Sequence, residues 1–240
     1  MDAIVAKIRN NIERLRTEID HIAREAGRES SSIELCAVTK YATTTETAAV
    51  ARALHELGLP VRLGESRVQD LLPKAAELQN EPCDVHWDLI GTLQRNKARS
   101  VVRVFDRIHS LDRISILDTL DRLATEFGLV AAGVPIRGLL QVRTSDEETK
   151  RGFSIDEVER ALDHARTLEG LRIEGFMTMA PRGTDHETAR PWFAELRRLR
   201  DRIAPDLEHL SMGMSQDYRG AIREGATIVR LGSALHATGG

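Results

Sequence analysis

The chain has 240 residues, of which 41% are hydrophobic and 30% charged, and its formal net charge is −3. This composition is that of an ordinary globular protein and excludes collagenous, low-complexity and disordered chains. No stretch concentrates the basic residues, so we expect no nucleic-acid partner.

The first predicted element is an amphipathic helix over residues 3–26, because apolar residues recur every three or four positions and Gly27 can end it. Eight short β-rich runs and seven helical patterns then alternate along the chain. The predicted strands span 33–39, 61–64, 85–91, 107–111, 135–143, 171–177, 207–211 and 227–231. The predicted helices span 43–58, 66–79, 93–105, 113–127, 154–167, 185–203 and 216–224, with Thr43, Ser66, Asp112 and Ser154 as candidate caps.

Strict alternation of strands and helices predicts parallel strands joined by crossover helices. Eight such units after one leading helix favour a closed (β/α)8 TIM barrel over an open doubly wound sheet. We therefore predict one domain over 1–240, with the leading helix in 1–28 and the barrel in 33–235. Pro191 lies inside the seventh helical pattern, so that helix should start or kink there.

Residues that can carry chemistry follow the predicted strands, where a barrel of this kind builds its active site. Lys40 ends the first apolar run. Partial desolvation at the barrel mouth favours a neutral amine, which can form a Schiff base. A solvated lysine just outside a strand is the plainer alternative.

Glycines and serines follow the seventh and eighth strands. Ser211, Gly213 and Ser215 lead into a helix for which Ser215 is the natural N-cap, while Gly232 and Ser233 follow the last strand. Free backbone N–H groups at such a helix start can bind an anion, and this fold often binds phosphate there. Each glycine alone could equally be a simple turn. A lysine and a phosphate site together are what pyridoxal 5′-phosphate requires.

At these residues the sequence resembles the single-domain pyridoxal phosphate homeostasis proteins, which have the fold of the alanine racemase N-terminal barrel. The matching stretches run in order through nearly the whole chain, at 37–40, 64–70, 87–97, 109–112, 175–181, 210–215 and 229–233.

The resemblance implies roles for seven residues. Lys40 would hold the cofactor as a Schiff base, and Arg230 would face the pyridine nitrogen. The phosphate would be bound by the remaining five, which are Ser211, Gly213, Ser215, Gly232 and Ser233. A permanently charged guanidinium leaves that nitrogen unprotonated, which makes the cofactor a poorer electron sink. Arg230 could instead be a buried salt-bridging arginine.

Some positions depart from the family pattern, which usually has Asn at Ser66 and often has His at Asp88. Lys150 resembles a family lysine that could contact the cofactor, although a solvated loop lysine is the simpler interpretation. Met177, Met179, Met212 and Met214 could form a wall for a planar ring or pack in the core.

Two other kinds of site find little support. Asp84, His86 and Asp88 alternate along one strand and could ligate a metal, but we expect the polar face of a half-exposed strand and no metal. Cys36 and Cys83 cannot form a disulfide framework or a four-cysteine zinc site, so two buried thiols are expected.

The leading hypothesis is a protein that carries and buffers pyridoxal phosphate in vitamin B6 homeostasis, with little or no catalysis and possible delivery to client enzymes. The first alternative is an amino-acid racemase; we expect the chain, which ends at Gly240 after the eighth strand, to lack the β-domain of racemases. The second is a Schiff-base aldolase that acts on a phosphorylated metabolite through Lys40. We expect a cytoplasmic monomer or weak dimer with no membrane partner, because no signal peptide or apolar span is evident.

Overall fold

The computed structural model describes residues 2–79, 81–145 and 151–236. Its eight parallel strands pair in chain order, and β1 pairs with β8 to close a barrel, which confirms the predicted (β/α)8 fold. The strands are β1 (Glu34–Val38), β2 (Val61–Glu65), β3 (Val85–Leu89), β4 (Arg107–Leu111), β5 (Ile136–Gln141), β6 (Leu171–Met177), β7 (His209–Met214) and β8 (Ile228–Leu231).

One α-helix precedes the barrel, and one follows each strand. They are α1 (Asp2–Glu25), α2 (Thr44–Glu56), α3 (Val68–Leu78), α4 (Arg95–Val101), α5 (Ile114–Glu126), α6 (Ile155–Arg166), α7 (Arg190–Ile203), α8 (Tyr218–Arg223) and α9 (Ser233–His236). The helix α1 buries its isoleucine face, as its spacing predicts. The helix α7 starts at Arg190, because proline is tolerated in the first helical turn and Pro191 takes that place.

Two of the four predicted helix caps are confirmed. Thr43 and Ser154 each form a capping box with a glutamate three residues later. The predictions for Ser66 and Asp112 are wrong, since the N-cap positions are the next residues, Arg67 and Arg113. The Asp112 carboxylate is bound by the Arg113 guanidinium, and the chain stays extended through Arg113 before the helix begins.

The main hydrophobic core joins the barrel to its surrounding helices. A separate small cluster of Cys36, Leu139, Met177 and Ile228, each from a different strand, fills part of the barrel itself. The expectation of two buried thiols holds for Cys36, whereas Cys83 is half-buried.

The expectation of a half-exposed polar face for β3 is wrong at Asp88, which has no exposed surface. Asp88 faces charged groups inside the barrel, and Arg62 Nη1 lies 2.8 Å from its Oδ1. Within the described ranges no three histidine, cysteine or acidic side chains are grouped so that they could hold a metal ion.

Of the helices in the described part of the chain, none is long and apolar enough to cross a membrane.

Candidate functional site

A cavity of about 560 Å³ opens at the carboxyl ends of the strands, where the fold predicts an active site. Five of the seven predicted site residues line it, from loops that follow β1, from β8, and from the turns after β7 and β8. They are Lys40, Ser215, Arg230, Gly232 and Ser233. Its volume lies within the range of small-molecule sites, roughly 300–1,000 Å³.

Lys40 is half-buried and follows β1 after one intervening residue, Thr39. The Thr39 carbonyl oxygen accepts hydrogen bonds from Ala42 N at 2.9 Å and from Lys74 Nζ at 2.8 Å. The Lys40 amine lies 5.0 Å from the centre of the Tyr41 ring, which is exposed at the cavity mouth. The turn that carries Lys40 is therefore fixed through Thr39, and Lys40 itself lines the cavity.

A buried ion pair supports this turn. Glu65 Oε2 lies 2.7 Å from Lys74 Nζ, and Glu65 Oε1 accepts a hydrogen bond from Ser66 N at 2.7 Å. Both charged side chains are buried, so each depends on the other for its charge partner. The pair joins the end of β2 to the Lys40 turn through Thr39 and places Ser66 on the cavity wall.

Ser215 does not cap a helix, contrary to the prediction. Asp217 takes the N-cap position of α8, and its carboxylate accepts the Met214 N–H. The Ser215 hydroxyl instead accepts hydrogen bonds from the backbone N–H groups of Gly232 and Ala234, each at 3.3 Å. Because the hydroxyl accepts from both N–H groups, its own hydrogen is left to donate to an anion in the cavity that Ser215 lines.

Gly213 and Ser211 lie behind the cavity and not on its wall. Gly213 has φ of +95°, and an added Cβ would lie 2.7 Å from Ala221 Cβ and 2.9 Å from Tyr218 Cα. Only glycine fits this turn at the end of β7. Ser211 is fully buried beneath Arg230.

Arg230 lines the cavity but is only 4% exposed. Its Nη1 donates to the carbonyl oxygen of Ser211 at 2.8 Å and to its Oγ at 2.5 Å, and its Nη2 donates to the Thr178 carbonyl at 3.0 Å. These partners are neutral oxygens, and no carboxylate of the described residues lies within salt-bridge distance. Burial lowers the pKa of Arg230, although the guanidinium remains charged at neutral pH.

Sequence reasoning missed the polar contacts beneath Arg230. His109 Nδ1 lies 2.9 Å from Ser211 Oγ, and His109 Nε2 lies 3.1 Å from Asp88 Oδ2. Burial lowers the pKa of His109. Burial raises the pKa of Asp88, but the nearby His109, Arg62 and Arg107 have the larger, opposite effect and lower that pKa to about 2. The sequence predicts a closed barrel, and polar residues of several strands can face the interior of such a barrel. That prediction was the available signal for these contacts.

The methionines divide between the two predicted roles. Met179 and Met214 line the cavity, whereas Met177 and Met212 are buried in the core. Lys150 lies outside the described residues. Sequence reasoning did not single out Glu46 and His236, which also line the cavity.

Three comparisons place these observations among known proteins. The family model for the N-terminal domain of alanine racemase matches residues 6–238. A pyridoxal phosphate homeostasis protein of Synechocystis sp. is 40% identical over 209 residues, which are 85% of this chain and 90% of that protein. One of Aquifex aeolicus is 36% identical over 230 residues, 94% of this chain and 97% of that protein. PipY of Synechococcus elongatus, solved with PLP bound, has a TM-score of 0.78 and 32% identity, covering 96% of this chain and 100% of PipY.

Proposed function

The chain belongs to the family of pyridoxal phosphate homeostasis proteins, within the alanine racemase N-terminal fold, and on that premise we propose that it binds, carries and buffers pyridoxal 5′-phosphate. Lys40 supplies the amine that condenses with the cofactor aldehyde, with loss of one water molecule. When bound in this way, the aldehyde is kept from reacting with other amines.

The observation that carries this proposal is that Lys40, Arg230 and Ser215 share one cavity. The ligand needs an amine for its aldehyde, a donor for its ring nitrogen and several donors for its phosphate. Lys40 supplies the first and Arg230 the second. For the third, the Ser215 hydroxyl accepts from the N–H groups of Gly232 and Ala234 and can donate its own hydrogen to the phosphate, together with the other serine hydroxyls at the cavity wall.

We further propose that the protein has little or no catalytic activity. Arg230 can only donate a hydrogen bond, so it leaves the ring nitrogen of the cofactor unprotonated and weakens the cofactor as an electron sink. The mouth is also open, since Tyr41, Met179 and Met214 are exposed around it. An open mouth favours exchange of cofactor with solvent or with client enzymes over reactions that require exclusion of water.

The test is to load the purified protein with pyridoxal phosphate, reduce it with borohydride and locate the label by peptide mass mapping. We expect a visible absorption band that borohydride removes and a label on Lys40. The Lys40→Ala variant should lose both, whereas Lys7→Ala, which changes an exposed lysine on α1, should retain both. A protein that stays colourless, or is labelled equally in the two variants, would contradict the proposal.

A racemase assay on the loaded protein tests the second part. We expect no turnover of L-alanine or other amino acids above that of free pyridoxal phosphate. Turnover that depends on Lys40 would contradict the carrier role and favour the racemase.

A further inference from the structure

A line of buried polar contacts continues beneath Arg230 into the barrel. Arg230 on β8 donates to Ser211 on β7, Ser211 contacts His109 on β4, and His109 contacts Asp88 on β3. None of these side chains is more than slightly exposed, and Arg230, the one nearest the cavity, is 4% exposed. The line therefore crosses the barrel interior and joins the cavity to a carboxylate that no solvent reaches.

The donors and acceptors along this line favour one arrangement of protons, in which each acceptor faces a donor. A guanidinium can only donate, so Ser211 Oγ accepts from Arg230 and its own hydrogen is available for His109 Nδ1. His109 Nδ1 then accepts that hydrogen, and the ring hydrogen lies on Nε2, because the Asp88 carboxylate that faces Nε2 can only accept. That nitrogen lies 3.1 Å from Asp88 Oδ2, and neither atom has a hydrogen-bond partner elsewhere in the described chain.

The charges around His109 favour its neutral form. Asp88 on β3 favours protonation, but Arg107, which shares β4 with His109, and Arg230 on β8 oppose it, and burial opposes it most. The Asp88 charge is already partly balanced by Arg62, whose Nη1 lies 2.8 Å from Oδ1. A neutral His109 with its hydrogen on Nε2 meets both requirements, since it can donate to Asp88 and accept from Ser211.

We propose that Asp88 is a positioning residue for Arg230 and acts through His109 and Ser211. Its carboxylate fixes the Nε2–H tautomer of His109, which directs the Ser211 hydrogen toward Nδ1 and leaves the Ser211 lone pairs to the guanidinium. Arg230 is thereby held in one orientation on the cavity wall without a carboxylate beside it. The consequence for the cofactor rests on the proposed function, because it requires that Arg230 meets the ring nitrogen.

The first test uses the protein without cofactor and reads the tautomer directly, by NMR of protein labelled with ¹⁵N in histidine. His109 is assigned by comparison with His109→Gln. We expect a neutral ring at pH 7 with the hydrogen on Nε2. In the Asp88→Asn variant, the amide oxygen should remain beside Arg62, so the amide NH₂ group should face His109 Nε2. An NH₂ group can only donate, so Nε2 should accept and the ring hydrogen should move to Nδ1. A wild-type ring that is protonated or carries its hydrogen on Nδ1, or an Asp88→Asn variant with an unchanged tautomer, would overturn the proposal.

The second test uses the loaded protein. We expect Asp88→Asn and Ser211→Ala each to weaken binding of pyridoxal phosphate about tenfold and to shift the visible band in the same direction, because each weakens or removes the bond from Arg230 to Ser211 Oγ and leaves only its two backbone acceptors. The double variant should bind no more than about twofold more weakly than either single variant, since both act on one chain of contacts. Thr119→Val is the control, because it removes a buried hydroxyl from α5 outside the barrel interior and should leave the band in place.

Additive losses of affinity in the double variant, or an unshifted band in both single variants, would overturn the positioning role. The two proposals fail in different ways. If wild-type protein is not labelled at Lys40, the proposed function fails, while the tautomer measurement on the cofactor-free protein still decides the role of Asp88.

Discussion

The side-chain amine of Lys74 lies 2.8 Å from the carbonyl oxygen of Thr39, the residue that precedes Lys40. Lys74 is held there by Glu65, which is fully buried. The ion pair thus supports the turn that carries Lys40, although neither of its members lines the cavity.

The substitution Lys74→Met should impair both stability and cofactor attachment. It leaves the buried Glu65 without a charged partner, which should lower the free energy of unfolding by ~3–5 kcal/mol in urea titrations. It also releases the Thr39 carbonyl, so the yield of borohydride-trapped Lys40 should fall. The double variant Glu65→Gln with Lys74→Met should recover part of the stability but not the trapping yield. Wild-type trapping in a folded Lys74→Met protein would show that Thr39 does not position Lys40.

The turn at the end of β7 should tolerate no side chain at Gly213. Gly183→Ala, at φ of +82° with open space around it, should cost only the left-handed backbone penalty of ~1–2 kcal/mol. Gly213→Ala meets the same penalty and also overlaps Ala221 and Tyr218, so it should cost ~3 kcal/mol or more. Denaturant unfolding of the two variants measures the difference. Equal losses would show that the neighbours of Gly213 move aside.

The fold could be predicted because each element has a local cause. The isoleucine spacing of α1 and the capping boxes at Thr43 and Ser154 are properties of short stretches of sequence, and their regular alternation with β-rich runs allows few topologies. The position of Lys40 after β1 followed from the same pattern, because the carboxyl ends of all eight strands meet on one face of the barrel.

The parts that could not be predicted depend on contacts between distant residues. Asp88 alternates with His86 along β3 as an exposed polar face would, and only closure of the barrel turns it toward His109. Ser215 stands at a plausible cap position, but Asp217 accepts the Met214 N–H and leaves the Ser215 hydroxyl for the turn after β8. A local sequence pattern does not show which of two nearby polar residues will stand at the N-cap and which will bind a distant segment of the chain.

Ser215 should contribute to recognition of the phosphate and not of the ring. Its hydroxyl accepts from the N–H groups of Gly232 and Ala234, which leaves its own hydrogen to donate to the phosphate. We expect Ser215→Ala to weaken binding of pyridoxal phosphate about tenfold, while binding of pyridoxal, which lacks the phosphate, changes little. Absorbance titrations with the two aldehydes measure this ratio, and Ser100→Ala, at an exposed position on α4, is the control. An equal loss for both ligands would assign Ser215 to the structure of the turn.

His109 should make the stability of the protein depend on pH near neutrality. Burial lowers its pKa in the folded state, so below ~pH 6.5 the unfolded chain binds the proton more readily than the folded one. The contribution to stability is therefore complete above that pH and is lost as the pH falls, by up to ~1.4 kcal/mol per pH unit. Asp88 titrates in the folded protein only near a pH of about 2, well below this window. The measurement is urea titration of the wild type and of His109→Gln between about pH 7 and about pH 5. We expect the wild type to lose stability faster as the pH falls. The contributions of the other histidines cancel in the difference between the two proteins. Parallel curves would mean that His109 is protonated as readily in the folded protein as in the unfolded chain.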